Sequence, residues 1–203
     1  MMRLLQLSGL AAMAAGGLLS APVAAQSFPS KPIRFVVPFA PGGGTDIIGR
    51  IVAQQLNEEL RQPVVVDNRA GAGSALGAEI VAKSPADGYT LLFGNISLAF
   101  NQALYANLGY DAVRDFSPVT LTSVQPNIVV IFPGLAAQTV AEFAALARAK
   151  PGQLSYGSAG IGSGTHLSAE LLAQSLKISL LHVPYRGTGP ALTDTIGGQV
   201  QMM

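Results

Sequence analysis

Residues 33–46 read IRFVVPFAPGGGTD, and this stretch decides the fold of the chain. Its first five residues are mostly β-branched or aromatic and lie between two prolines, which predicts a short buried strand. The glycine turn is followed by apolar residues at the spacing of an amphipathic helix, namely Ile47, Ile48, Ile51, Val52, Leu56 and Leu60. A strand, a glycine turn and a helix in this order begin an α/β unit.

The pattern then recurs towards the middle of the chain. Strands are predicted over 63–67 and 89–93, with a glycine turn at 71–73 and a helix over 74–83 between them. Successive units of this kind form a parallel, doubly wound sheet with right-handed crossovers. We therefore predict an α/β fold.

Two strand-like runs, 118–124 and 127–132, are separated by Gln125-Pro126. Such a break in an α/β protein suggests a hinge at which the chain enters a second domain. This places a first domain at 26–124 and a second, incomplete domain at 125–203.

The second domain has its own series of predicted elements. Thr139 and Glu142 have the spacing of a capping box, which starts a helix that runs to Lys150. The later elements are a strand over 154–157, a turn over 158–164, a helix over 165–176, a strand over 180–183, a helix from about 190 to Ile196 and the beginning of a strand over 199–203.

The N-terminus and the composition indicate the compartment. An apolar run follows Arg3, and Ala21-Pro22-Val23-Ala24-Ala25 resembles the end of a signal peptide, so we predict a cleaved signal over residues 1–25 and a soluble, exported, periplasmic protein. An uncleaved anchor is the alternative. The formal net charge of +1 disfavours nucleic-acid binding, and the absence of cysteine excludes disulfides and thiolate chemistry.

Two junctions between a strand, a glycine turn and a helix are the sharpest candidate sites, at 38–46 and 158–166. The first N–H groups of a helix have no partner within the helix, and glycine allows a ligand to approach the backbone. Glycine turns also merely connect elements in many α/β proteins. Asp46 could either complement the helix dipole or contact the ligand.

Other chemistries find little support. No lysine follows a glycine as in a phosphate-binding loop, the dinucleotide pattern fails at Leu76 and at Thr165, and no serine has the hydrolase spacing. His166 and Glu170 are an incomplete metal set, and His182 fits a satisfied core residue. We predict no metal or cofactor. Arg186 could pair with a carboxylate or lie in solvent.

Six segments taken together resemble a known family. They are PSKPI at 29–33, VPFAPGGGTD at 37–46, NRAGAG at 68–73, ADGYTL at 86–91, LSYGSAG at 154–160 and HVPYRG at 182–187. In this order they are similar to the Bug-like periplasmic substrate-binding receptors of tripartite tricarboxylate transporters. The resemblance covers essentially all of residues 27–203.

The resemblance implies a type II periplasmic binding protein fold, with two doubly wound domains and a ligand cleft between them. It implies a monomeric receptor, not an enzyme, that binds a di- or tricarboxylate or a related organic acid and delivers it to a membrane permease. The glycine loops would hold the carboxylate through backbone amides and bridging waters. The predicted ligand-binding residues are Phe39, Ala40, Gly42, Gly43, Gly44, Thr45, Asp46, Asn95, Ser97, Ser158, Ala159, Gly160, Thr165, His166, Tyr185, Arg186 and Gly187.

Two further expectations accompany this interpretation. The family's chain continues well past Met203, so we expect this sequence to be the front part of a longer protein and to fold and bind poorly by itself. The alternative function is an exported α/β hydrolase that acts on small acids or esters, for which no nucleophile and base were found.

Overall fold

The computed structural model describes residues 27–203, and its first elements follow the predicted strand, turn and helix. Strand β1 is Ile33–Val37 and helix α1 is Gly44–Leu60. The predicted signal peptide lies outside the described residues.

A parallel sheet surrounds β1. Strand β2 (Val64–Asn68) and strand β3 (Thr90–Leu92) flank it in the order β2-β1-β3, with Phe35 opposite Val66 and Leu91. The parallel α/β architecture predicted for this region is therefore confirmed.

Helices cover both faces of this sheet. A single 3₁₀ turn at Ala72–Ser74 leads from β2 into helix α2, Ala75–Ala82. Leu91 packs in the cluster that includes α1, whereas Leu92 packs in the cluster that includes α2. Since successive residues of a strand point to opposite faces, the two helices lie on opposite sides of the sheet.

The predicted apolar stripe of α1 is wrong at two positions. Ile47 and Ile51 are 52% and 54% exposed, and the fully buried residues of the helix are Asp46, Gly49 and Ala53. A Cβ added to Gly49 would lie 3.1 Å from Val37 Cγ2 and from the ring of Phe93. The small residues let the helix lie close to the sheet, and this rotates the two isoleucines outwards.

Helix α3 (Ser97–Leu104) was not predicted. Its buried residues are Ser97 and Asn101, one turn apart. Because the most buried positions of this helix are polar, the sequence lacks the apolar periodicity by which an amphipathic helix is recognised.

A second parallel sheet contains strand β4 (Ser155–Ser158) and strand β5 (Leu181–Pro184). Three helices accompany it: α4 (Val140–Ala149), α5 (Gly164–Leu176) and α6 (Thr188–Ile196). The predicted capping box is present, since Glu142 N donates to Thr139 Oγ1 and Thr139 N donates to the Glu142 carboxylate. Phe143, Tyr156, Ala169 and Met202 belong to the core of this part.

The predicted strands over 118–124 and 127–132 are wrong except at their end. Residues 130–132 exchange backbone hydrogen bonds with residues 201–203, and Met202 also bridges to Tyr156. The rest of 118–129 has no regular secondary structure and makes no ladder within the described residues, and Val119 is 84% exposed. β-branched composition favours an extended backbone, but a strand also needs a partner for its hydrogen bonds.

Residues 31–203 form one compact unit that contains both sheets. The predicted boundary between 124 and 125 stays a prediction. From residue 27 onwards, none of the helices has both the length and the apolar character needed to cross a bilayer.

Candidate functional site

The predicted ligand-binding residues all follow the carboxyl ends of parallel strands. We call residues 38–46, after β1, the first glycine loop, and residues 158–166, after β4, the second glycine loop. The first loop contains Phe39, Ala40, Gly42, Gly43, Gly44, Thr45 and Asp46, and the second contains Ser158, Ala159, Gly160, Thr165 and His166. Asn95 and Ser97 follow β3, and Tyr185, Arg186 and Gly187 follow β5. This end of a parallel sheet is where open α/β proteins place their ligands.

The Asp46 carboxylate stabilises the first glycine loop by accepting hydrogen bonds from the loop and from neighbouring side chains. Its side chain is almost fully buried, and its Oδ2 accepts hydrogen bonds from Gly42 N and Arg50 Nε, each at 3.0 Å. Its Oδ1 accepts from Asn68 Nδ2 at 2.8 Å, and the same amide donates to Phe39 O. Both carboxylate oxygens are therefore used within the protein, which gives Asp46 a role in shaping the loop.

The ionisation of Asp46 follows from these contacts. Burial by itself would raise the pKa of Asp46, but the hydrogen bonds from Arg50, Gly42 and Asn68 and the positive charge of Arg50 outweigh it. The pKa of the carboxyl group is held below its usual range, and the group is a carboxylate at neutral pH.

The start of α1 offers unused hydrogen-bond donors. In the described part of the chain, the backbone N–H groups of Gly43, Gly44 and Thr45 have no protein acceptor. Gly43, the N-cap residue, supplies no side-chain cap. These N–H groups and the positive end of the helix dipole suit an anion such as a carboxylate.

The first glycine loop is in backbone contact with the segment after β5. Ala40 N donates to Arg186 O at 2.9 Å. A Cβ added to Gly187 would lie 3.0 Å from Ala40 N, and one added to Gly43 would lie 2.3 Å from Thr188 Oγ1. The glycines at 43 and 187 are therefore required by the close packing of these two segments.

The second glycine loop is held mainly by its own side chains. Ala159 N donates to Thr165 Oγ1, Gly160 N to Ser158 Oγ and Gly162 N to His166 Nδ1, at 2.9, 3.1 and 3.3 Å. Within the described residues, the N–H groups of Gly164 and Thr165 at the start of α5 have no protein acceptor. The second loop thus offers fewer free donors than its glycine content predicts.

A cavity of about 370 Å³ opens beside the second glycine loop. It is lined by Ala70, Gly71, Ala72, Gly73, Leu76, Tyr105, Gly160, Ile161, Pro184, Tyr185 and Arg186. Arg186 is exposed and forms no ion pair with any described residue. The first glycine loop does not line this cavity.

Several of these lining residues were not predicted. The turn at 71–73 was recognised as a turn but not as part of the site, although it too follows the carboxyl end of a parallel strand, β2. Tyr105 follows the unpredicted helix α3, and its hydroxyl donates to Ile161 O at 3.2 Å. Nothing in the local sequence singles out Tyr105, because its position depends on the packing of α3.

Two of the remaining predicted side chains, those of Asn95 and Tyr185, have partners in the protein. Asn95 Oδ1 accepts from Ser97 N at 3.0 Å. The hydroxyl of Tyr185 donates to Asp194 Oδ2 at 2.6 Å. Burial is the larger cause and this hydrogen bond the smaller one by which the pKa of Tyr185 is raised to about 12. Ser97 Oγ is buried and has no hydrogen-bond partner within the part of the chain that the structure describes. Among residues 27–203, no cluster of three or more His, Asp or Glu side chains could hold a metal ion.

The described residues form an α/β fold with free backbone N–H groups at helix starts that follow the carboxyl ends of two parallel sheets. A family model described as "Tripartite tricarboxylate transporter family receptor" matches residues 48–203. The chain belongs to this family. It is a family of receptors, and the hydrolase alternative finds no support in it.

Individual relatives agree with the family assignment. Protein BugT of Bordetella pertussis (strain Tohama I) is 40% identical over 202 residues, which cover 98% of this chain and 61% of BugT. A solved structure described as a periplasmic transporter is 43% identical with a TM-score of 0.85, and R. palustris Rpa4515 with adipate is 37% identical with a TM-score of 0.84. Each match covers 87% of this chain and 59% of the solved chain. This chain therefore spans about three fifths of their length.

Proposed function

We propose that this protein is an extracytoplasmic solute receptor that binds a small organic acid and delivers it to a membrane permease. The observation that carries the proposal is the set of unpartnered N–H groups of Gly43, Gly44 and Thr45 at the start of α1. The adipate bound by the similar R. palustris protein supports a carboxylate ligand.

The proposed receptor also has an expected fold, compartment and oligomeric state. The protein would have the type II binding protein fold, with a cleft between two domains that meet near residue 124. It would be exported to the periplasm after removal of residues 1–25 and act as a monomer, without nucleic acid or a cofactor. Arg186 would lie beside the ligand, since its backbone carbonyl accepts from Ala40 of the first glycine loop and its side chain forms no ion pair within the described residues.

A thermal-shift series of organic acids tests receptor against hydrolase. We expect adipate or a related acid to raise the melting temperature, because a ligand at a hundredfold excess over Kd stabilises the folded state by about 2.7 kcal/mol. Chromatography of the same samples should recover the acid, and matched esters, unchanged. Turnover of an ester, or a flat response to every acid, contradicts the proposal.

The substitution Gly44→Ala tests whether the ligand binds to the backbone at the start of α1. A Cβ at Gly44 would meet no atom closer than Gln125 Oε1 at 3.5 Å, so Gly44→Ala fits the protein, and alanine favours a helix over glycine by about 1 kcal/mol. We expect unchanged or higher stability and at least about tenfold weaker binding, since the methyl group obstructs a ligand on the backbone.

The matched control is Gly197→Ala at the end of α6. Gly197 has a φ of −75°, and a Cβ there would lie no closer than 3.5 Å to its nearest neighbour, Thr193 O, away from both loops. It should leave affinity unchanged. Gly43 is a poorer probe, because a side chain there would also displace Thr188. Equal affinities of the two alanine variants would refute backbone binding at α1.

A further inference from the structure

The rings of Tyr156, His182 and His166 stack on one another at the second glycine loop, to which His166 itself belongs. The ring centroids of Tyr156 and His182 are 4.8 Å apart, and those of His182 and His166 are 4.3 Å apart. Tyr156 is fully buried and both histidines are half-buried. The Tyr156 hydroxyl donates to the carboxylate of Glu170. The stack therefore connects β4, β5 and α5 at this loop.

Both histidines are tied to the backbone of the loop. His166 accepts the N–H of Gly162 on Nδ1. His182 Nε2 lies 2.7 Å from Ser158 Oγ, which itself accepts the N–H of Gly160. Ser158 is fully buried, so its hydroxyl proton needs an acceptor, and we assign this role to Nε2. In this arrangement both imidazoles act as acceptors and are neutral.

Protonation would reverse these hydrogen bonds. A proton on His182 Nε2 would leave the buried Ser158 hydroxyl without an acceptor, and a proton on His166 Nδ1 would face the N–H of Gly162. Two charged rings 4.3 Å apart would also repel each other. The groups that face His182 are Tyr156 and Ser158 from β4 and His166 and Glu170 from α5.

We propose that His182 and His166 position the second glycine loop for carboxylate binding only while both rings are neutral, so that acidification loosens the loop and weakens binding. This inference rests on the proposed receptor function. It makes the two histidines positioning residues, which act on the ligand through the backbone of the loop.

The direction of the effect agrees with the surroundings of His182. Burial, and then the repulsion that a second protonated ring at His166 would cause, lower the pKa of His182 below its ordinary value of 6.5, although Glu170 acts in the opposite direction. Below about pH 6.5 the unfolded chain therefore binds more protons at this residue than the folded chain. The stabilising contribution of neutral His182 is present above that pH and is lost as the pH falls.

Amide hydrogen exchange without ligand tests the proposal separately from carboxylate binding. Protection of the Gly160 and Gly162 amides, corrected for intrinsic rates, should fall at least about tenfold between pH 7.5 and 5. Its midpoint should coincide with the NMR titration of His182. The Arg69 and Phe93 amides, which donate to Val37 O and Val36 O in the first sheet, are controls for global unfolding.

The variant His166→Gln/His182→Gln cannot be protonated at these positions and should abolish the pH dependence of loop protection. Loop protection that follows the controls, or a pH dependence that persists in the variant, overturns the proposal. If the variant does not fold, the coincidence of midpoints in the wild-type protein decides. Between pH 7.5 and 5.5 the wild-type protein should lose more affinity for adipate than the His166→Gln/His182→Gln variant, because protonation of adipate itself affects both proteins alike, and an equal loss in both would also overturn it.

Discussion

Asp46 lies in the first turn of α1, and donors from the protein occupy both of its carboxylate oxygens. The sequence placed an acidic residue beside a glycine loop but left its role open between helix charge and ligand contact. Sequence could not decide this, because Asn68 and Gly42 meet Asp46 only after β1, β2 and α1 have packed together.

We expect Asp46→Asn to lower the free energy of unfolding by about 1.5–3 kcal/mol at pH 7, since it replaces a buried charged acceptor with an amide. Urea denaturation measures this. Because the folded pKa of Asp46 is lowered, its stabilising effect is present above about pH 4 and is lost as the pH falls, so wild type and variant should converge in acid. Glu59→Gln, on the exposed face of α1, is the control and should change little. Equal changes in the free energy of unfolding for the two substitutions would contradict the role of Asp46 in stabilising the first glycine loop.

At the scale of elements, the 3₁₀ turn after β2 lies directly against the second glycine loop. Gly73 has a φ of +57°, and a Cβ there would lie 1.9 Å from Ile161 O. Gly152 has a comparable φ of +70°, but its nearest neighbour would be 3.9 Å away. The two glycines therefore have a similar positive φ and differ in how closely neighbouring atoms approach them.

This difference gives a prediction about the turn. Gly73→Ala should destabilise the protein by about 1–3 kcal/mol more than Gly152→Ala, because only at Gly73 must the backbone of a neighbouring loop move. Thermal denaturation of both variants checks it. A similar loss of stability in both variants would show that the positive φ alone causes it and that the turn does not pack closely against the second glycine loop.

The elements also show where sequence is informative. β1 was predicted with its observed bounds, because its apolar residues are enclosed by prolines. Helix α3 was missed because its buried residues are polar, and most of 118–132 was wrongly predicted as strand because composition does not supply a partner. The glycine loops were predicted as turns that hold the ligand, and this role stays a prediction, whereas the place of Tyr105 at the cavity depends on tertiary packing.

At the scale of the whole molecule, loops from the two sheets meet through their backbones. The first glycine loop contacts the segment after β5, and the turn at 72–74 contacts the second glycine loop. Such contacts leave little room for side chains, which explains the concentration of glycine at these positions.

We therefore expect a bound acid to affect both glycine loops together. Hydrogen exchange measured by mass spectrometry should show protection of peptides over 38–46 and 158–166 on addition of the ligand, with α4 unchanged as an internal control. Protection confined to one loop would contradict a site shared between them.

Comparison of an acid with its amide shows whether the protein recognises the negative charge of a carboxylate. Calorimetric titration should use the acid that gives the largest thermal shift and the amide that replaces its carboxylate. Backbone N–H groups at a helix start favour a negative charge, so we predict binding of the acid and at least about a hundredfold weaker binding of the amide, or about 2.7 kcal/mol. An amide that binds as tightly as its acid would contradict a receptor built to hold a carboxylate.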